Sequence, residues 1–166
     1  MNSVKSEVTK LVIPTYPEPK AEDLPMFAEN CVHQRTSGNP YPNKVVLKVN
    51  RDEKQDKAYD VVVLENEYLK IEILPEIGGR IYSALDKTTG YDFFYKQHVI
   101  KPALIGVLGS WISGGVEFNW PFHHRASGFM PCDYKLETLP DGSAVCHLSE
   151  HDPIDRMKGM VSIILR

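Results

Sequence analysis

Short segments that alternate apolar and polar residues, separated by turn sequences, constrain this chain more than any other feature. The predicted strands are Val45–Val49, Tyr59–Leu64, Leu69–Leu74, Arg80–Leu85, Tyr91–Tyr95, Asp133–Leu139, Ser143–Leu148 and Lys158–Arg166. The connections between most of them are too short for the helices that a parallel sheet requires. The pattern therefore predicts an all-β fold built on an antiparallel meander, with a hairpin turn at Asp141-Gly142.

Residues 109–125, GSWISGGVEFNWPFHHR, concentrate the side chains that could carry chemistry. They include both tryptophans of the chain, with an acid, an amide, two histidines and an arginine: Trp111, Trp120, Glu117, Asn119, His123, His124 and Arg125. Aromatic faces beside a few hydrogen-bonding groups suit a sugar, because C–H faces stack on rings while hydroxyls take the polar groups. The alternative is that the aromatic residues fill a core while the polar residues satisfy one another.

The adjacent histidines His123 and His124 supply a candidate acid–base group. Neighbouring residues on a strand point to opposite faces, so normally one of the two addresses a site. Pro121 favours an irregular turn, which could aim either imidazole. An imidazole titrates near neutral pH and can donate a proton to a ring oxygen there. A structural histidine bonded to the backbone is the alternative interpretation.

Two other motifs have a less direct bearing on function. Arg80, which follows Gly78-Gly79, either holds an anionic or hydroxyl-rich ligand or ties the sheet together through an acid. Residues 147–151, HLSEH, match an inverted zinc-peptidase pattern that requires a helix. On a strand, residues four apart lie about 13 Å apart. We interpret the match as chance, and no metal or cofactor is predicted.

Composition and charge narrow the classes of partner. The net charge of -3, with no basic face, gives no reason to expect nucleic acid. No run approaches the roughly 20 apolar residues of a membrane span, and the N-terminus lacks the apolar core of a signal peptide. A cytoplasmic location is therefore expected. Cys31, Cys132 and Cys146 have no metal-binding spacing and are interpreted as small buried residues in a reducing compartment.

The chain divides into an arm and a domain. Residues 1–43, rich in proline and acids, are predicted to form an extended N-terminal arm over the domain surface, in which Leu11–Ile13 could pair as an edge strand. Residues 44–166 form the domain. Residues 98–115 interrupt the strands and predict a buried crossover that delivers the tryptophan-containing segment to one face of the sheet. Because the chain ends inside a strand-like segment, we expect the domain to be incomplete at its C-terminus.

Four motifs together resemble the DUF5107 family, a bacterial domain often found ahead of tetratricopeptide repeats. They are Leu74–Tyr82 (LPEIGGRIY), Ile100–Ala103 (IKPA), Trp111–Arg125 and Met130–Tyr134 (MPCDY). The resemblance covers nearly all of this chain but only the N-terminal part of the family domain. The family is in turn similar to the galactose mutarotase-like supersandwich. Residues 44–166 are therefore expected to be the N-terminal part of such an antiparallel β-sandwich.

This resemblance implies a carbohydrate ligand on the concave face of a sheet. A histidine protonates the ring oxygen in mutarotases, so His123 or His124 is implied as the catalytic acid. With the residue pattern above, the predicted substrate-binding residues are Arg80, Trp111, Glu117, Asn119, Trp120 and Arg125. The late glutamate that removes the anomeric proton has no counterpart here, so epimerase- or glycosidase-like activity would need the complete domain. The alternative is a non-catalytic sugar-binding or protein-interaction module, whose partners would be a tetratricopeptide-repeat region or further strands of the domain.

Overall fold

A computed structural model describes residues 4–18, 49–103, 110–120, 126–152 and 156–166. Within these residues seven strands form two antiparallel sheets: Lys5–Thr15 (β1), Gln55–Glu65 (β2), Leu69–Leu74 (β3), Arg80–Asp86 (β4), Asp133–Thr138 (β5), Ala144–Asp152 (β6) and Met157–Leu165 (β7). The sheet orders are β1-β2-β3-β4 and β5-β6-β7, so each sheet is a meander. Two 3-10 helices, Pro75–Ile77 and Ala126–Phe129, complete the described elements. The predicted all-β antiparallel class is confirmed, and no helix in the described ranges could cross a membrane.

The two sheets pack face to face through one apolar layer. Val62 and Leu64 of β2 and Ile73 of β3 are fully buried in a cluster with Cys146 of β6 and Ile163 of β7. Burying an aliphatic side chain of this size contributes about 1.5–3 kcal/mol. This layer holds the sheets together, and the arrangement is that of a β-sandwich.

Strand β2 is buried on both of its faces. Val62 and Leu64 face the second sheet, whereas Val61 and Val63 belong to a second cluster on the opposite face, together with Ile112. A strand covered on both sides carries a continuous apolar run rather than an alternating one. This explains the run of valines in β2. It also places the Ile112 segment against the outer face of the first sheet.

Residues 5–15 form a strand of the first sheet. Strand β1 pairs with β2 over its whole length, from Lys5 opposite Glu65 to Thr15 opposite Gln55. The edge pairing considered for residues 11–13 therefore extends over eleven residues, while residues 19–43 of the predicted arm lie outside the described residues. As an edge strand, β1 needs few buried apolar side chains, and its pattern was therefore faint. The predicted strand at 45–49 lies almost entirely outside the described residues.

Two local predictions also differ from the structure. The strand predicted at 59–64 begins earlier in the structure, because β2 already starts at Gln55, where β1 supplies its pairing partner. The segment 91–95 was expected to be a strand, yet only Asp92 makes a bridge, to Leu85. The Asp92 carboxylate accepts hydrogen bonds from the backbone N–H groups of Ala84 and Phe94, which turns the chain out of the sheet.

The hairpin predicted at Asp141-Gly142 joins β5 and β6, although its connection is longer than two residues. Strand β6 then carries the HLSEH motif in extended backbone. His147 bonds Ser162 and Glu137 across the sheet at 2.8 and 3.1 Å. No group of three or more metal-ligating side chains occurs in the part of the chain that is described. The motif is not in the helical form that a zinc peptidase requires.

We expect Cys146 to resist alkylation while the protein is folded. Its side chain is fully buried, and burial, with a smaller contribution from Cys132, raises the pKa of the Cys146 thiol to about 12. The thiolate is the reactive species, so it is scarce at pH 8. Iodoacetamide labelling followed by mass spectrometry should modify Cys146 only in denaturant, with the partly exposed Cys132 as the internal comparison. Equal labelling rates in the folded and unfolded protein would contradict this prediction.

Candidate ligand-binding cleft

Residues 110–120 bridge the first sheet and the Ile100–Ala103 segment. Val116 exchanges two backbone hydrogen bonds with Ile81 of β4, with N···O distances of 2.8 and 3.2 Å. Trp111 exchanges two more with Ala103, at 2.7 and 2.8 Å. Ile100 in turn donates its backbone N–H to Pro14 at 2.9 Å. The Ile100–Ala103 segment and residues 110–120 are therefore joined on one side of the first sheet.

Gly115 permits this close approach to β4. Its φ is +69°, a conformation that side chains rarely adopt, and a Cβ at this position would overlap the carbonyl oxygen of Ile81. The neighbouring Gly114 also has a positive φ, of +93°, and lies against the backbone of Lys96. The glycine pair therefore sets the path of the segment that carries Trp111 and Glu117.

Arg80 ties the same segment to β4 from the interior. The side chain is only 2% exposed, and its Nη1 donates to the backbone carbonyls of Ile112 at 3.1 Å and Gly114 at 2.7 Å. Burial lowers the pKa of the guanidinium, and the nearby Glu117 carboxylate opposes that effect. The Nε atom donates to no acceptor among the described residues. These contacts give Arg80 a structural role, and its contact with a substrate stays a prediction.

Trp111 and Glu117, both half-buried, lie beside Arg80. The indole Nε1 of Trp111 donates to Glu117 Oε2 at 3.3 Å, and Glu117 also lies against Gly128. The structure therefore brings together three of the predicted site residues: Arg80, Trp111 and Glu117.

Trp120 lies elsewhere, against the second sheet. Its indole packs over Gly159 of β7 so closely that a Cβ at Gly159 would overlap the ring. The cavity beside it measures about 10 Å³, room for about one water molecule and not for a pyranose. The intervening Asn119 is exposed. Trp111 does not line this cavity. His123, His124 and Arg125 lie outside the described residues.

A larger cleft opens on the side of the bridging segment that faces Ile100–Ala103. Its volume is about 440 Å³, within the range of small-molecule sites. Aliphatic surface comes from Val49, Val99, Pro102 and Ile112, and polar groups come from Arg51, Gln97, Lys101 and Ser113. Gln97 Nε2 donates to Ser113 Oγ at 3.0 Å. This cleft is the candidate ligand-binding site of the described structure.

An exposed aromatic row leads towards the cleft along the chain. Tyr91, Phe93 and Tyr95 are 64%, 52% and 73% exposed, and the rings of Tyr91 and Phe93 meet edge to face at 5.9 Å. They project outward because Asp92, between them, is bonded inward to β4. Two residues beyond Tyr95, Gln97 lines the cleft.

Comparison with known proteins identifies the family. A family model described as "Domain of unknown function (DUF5107)" matches residues 37–166. The chain belongs to the DUF5107 family. Part of a solved structure, "Crystal structure of a TPR-domain containing protein from Parabacteroides distasonis ATCC 8503", is similar to the DUF5107 chain with 24% identity and a TM-score of 0.76. The match covers 90% of this chain and 24% of that one, so the chain spans about a quarter of that protein, and the likeness shows the fold.

Membership of the DUF5107 family, predicted from the sequence motifs, is thereby confirmed, while the likeness to the galactose mutarotase-like supersandwich stays a prediction. The sequence did not indicate the cleft residues Arg51, Gln97, Lys101 and Ser113. Arg51 belongs to a charged loop fifty residues before Lys101, and no local pattern connects them. The aromatic row did carry a signal, because Tyr91, Phe93 and Tyr95 alternate around an aspartate.

Proposed function

We propose that this DUF5107 domain binds a carbohydrate in the cleft between Ile100–Ala103 and Trp111–Gly115. The observation that carries the proposal is a cleft of about 440 Å³ lined by both aliphatic and hydrogen-bonding side chains. An exposed aromatic row, Tyr91 to Tyr95, ends two residues before the lining residue Gln97 in the sequence. Contiguous exposed aromatic side chains commonly mark a binding surface. Sugars place C–H faces on such rings, and a volume of this size suits one or two sugar units.

The polar groups of the cleft suit hydroxyl groups. Gln97 offers an amide that both donates and accepts, and the hydroxyl of Ser113 does the same. The two are bonded to each other, so their positions are fixed before a ligand arrives. The aliphatic side chains of Val99 and Ile112 supply apolar surface beside them.

The described lining of the cleft favours a domain that binds a carbohydrate without catalysing a reaction on it. A general acid or base must lie within hydrogen-bonding reach of the proton it transfers. The lining residues described above include neither a carboxylate nor an imidazole. Epimerase- or glycosidase-like chemistry stays a prediction that depends on His123 and His124.

Sugar binding should change the fluorescence of Trp111 and leave that of Trp120 unaltered. Trp111 lies between Ala103, its backbone partner, and Ile112, both of which line the cleft, whereas Trp120 packs on Gly159. Titration with a panel of mono- and oligosaccharides should quench or shift emission in the wild-type protein and in Trp120→Phe. The response should be lost in Trp111→Phe.

Two further variants locate the binding site. Gln97→Ala and Ser113→Ala should each weaken binding by up to about tenfold, the effect of one lost hydrogen bond. Ser162→Ala, on the second sheet, removes the same side-chain type away from the cleft and should leave affinity unchanged. Absence of any response to every sugar by the folded protein would overturn the proposed function, as would equal effects of Ser113→Ala and Ser162→Ala.

A further inference from the structure

The cleft is lined by two cations that form no ion pair with any described carboxylate. Arg51 and Lys101 both line it and are both exposed, and neither is among the ion pairs found within the described ranges. The acids that follow Arg51, Asp52 and Glu53, do not line the cleft. A cleft lined by charges of one sign attracts a ligand of the opposite sign.

Lys101 lies beside the backbone of Arg51. Arg51 lies in a turn closed by Asn50, whose Oδ1 accepts from the N–H groups of Asp52 and Glu53 at 3.1 Å each. Lys101 Nζ donates to the carbonyl oxygen of Arg51 at 3.4 Å and lies 4.3 Å from the centre of the Tyr16 ring. The Lys101 ammonium is therefore positioned beside the backbone from which the Arg51 side chain extends.

We infer that the ligand is an anionic carbohydrate, whose phosphate ester or carboxylate is bound by Arg51 and Lys101. The inference rests on the proposed function and adds the charge of the ligand to it. A guanidinium forms paired hydrogen bonds with a carboxylate or phosphate, and an ammonium contributes a compact charge. The anionic group would lie between these two side chains, with the sugar ring against Gln97 and Ser113.

The experiment compares neutral and charged forms of the same sugars. Glucose, galactose and mannose, their 6-phosphates and their uronic acids are titrated into the wild-type protein and into Arg51→Gln/Lys101→Gln. For at least one sugar, a charged form should bind about tenfold or more tightly than the neutral form, and the double variant should lose this difference while it still binds the neutral sugar. The preference should also shrink as salt is added.

A matched control distinguishes a failure of the anionic-ligand inference from a failure of the proposed carbohydrate binding. Lys158→Gln removes an exposed cation from β7 and should change no affinity. Equal binding of neutral and charged sugars, unaffected by the double variant, would overturn the anionic ligand and leave the proposed function in place. Binding of inorganic phosphate as tight as that of the sugar phosphates would also overturn the inference, because the sugar would then contribute nothing. If no sugar of either kind binds, the proposed function fails as well.

Discussion

Gly115→Ala is expected to lower the free energy of unfolding by about 3 kcal/mol or more. The residue has a φ of +69°, and the new methyl group would overlap the carbonyl oxygen of Ile81. That oxygen accepts the hydrogen bond that Val116 donates to β4, so the backbone cannot move aside without losing the contact. Urea denaturation followed by far-ultraviolet circular dichroism measures the loss.

Gly90→Ala is the matched control for this substitution. Gly90 has a similar φ, +75°, but a Cβ there would meet no heavy atom within 4 Å. Its cost should therefore be the conformational one alone, about 1–2 kcal/mol. The difference between the two variants isolates the steric contact with β4. If both variants lost the same stability, the close approach of Gly115 to Ile81 would be disproved.

Arg80→Leu is expected to destabilise the domain by about 3 kcal/mol or more. The substitution removes the donor to the carbonyls of Ile112 and Gly114 and leaves the Glu117 carboxylate without its nearby positive charge. Arg80→Lys retains the charge but not the geometry of the guanidinium, so an intermediate loss is expected. Thermal and urea denaturation measure the loss of stability in both variants.

Arg51→Leu is the control for Arg80→Leu, because Arg51 is exposed and its loss should change stability by less than about 0.5 kcal/mol. Sugar titrations of Arg80→Lys add a second readout. Unchanged stability with abolished binding would make Arg80 a substrate contact, as the resemblance implies, and would overturn the structural role inferred from its backbone contacts.

Much of the fold could be predicted from side-chain periodicity. The sequence of β3 alternates apolar and charged residues, and Leu69, Ile71 and Ile73 all pack in the cluster between the sheets. The Asp-Gly pair marks the turn between β5 and β6. The limits of β1 and β2 were missed because long-range pairing, rather than local pattern, determines them. Gln55, Asp56 and Lys57 belong to a strand because β1 lies beside them.

The candidate site was less predictable. Trp111 and Glu117 are close in sequence, and the glycine pair between them brings both to Arg80. Trp120 lies only three residues beyond Glu117, yet by that point the chain has reached the second sheet. Arg51 precedes β2 and Lys101 follows β4, so the two residues line the same cleft only once the first sheet has folded. A local sequence pattern cannot predict this proximity.

The pairing of β1 with β2 has a consequence for the order of folding. The two strands are adjacent in the sheet, yet residues 16–54 separate them, whereas β2, β3 and β4 follow one another closely. Closing a long loop costs little more free energy than closing a moderate one, but contacts between distant segments form slowly. We therefore expect the β2–β4 meander to form first and the N-terminal strand to pair with it later in folding.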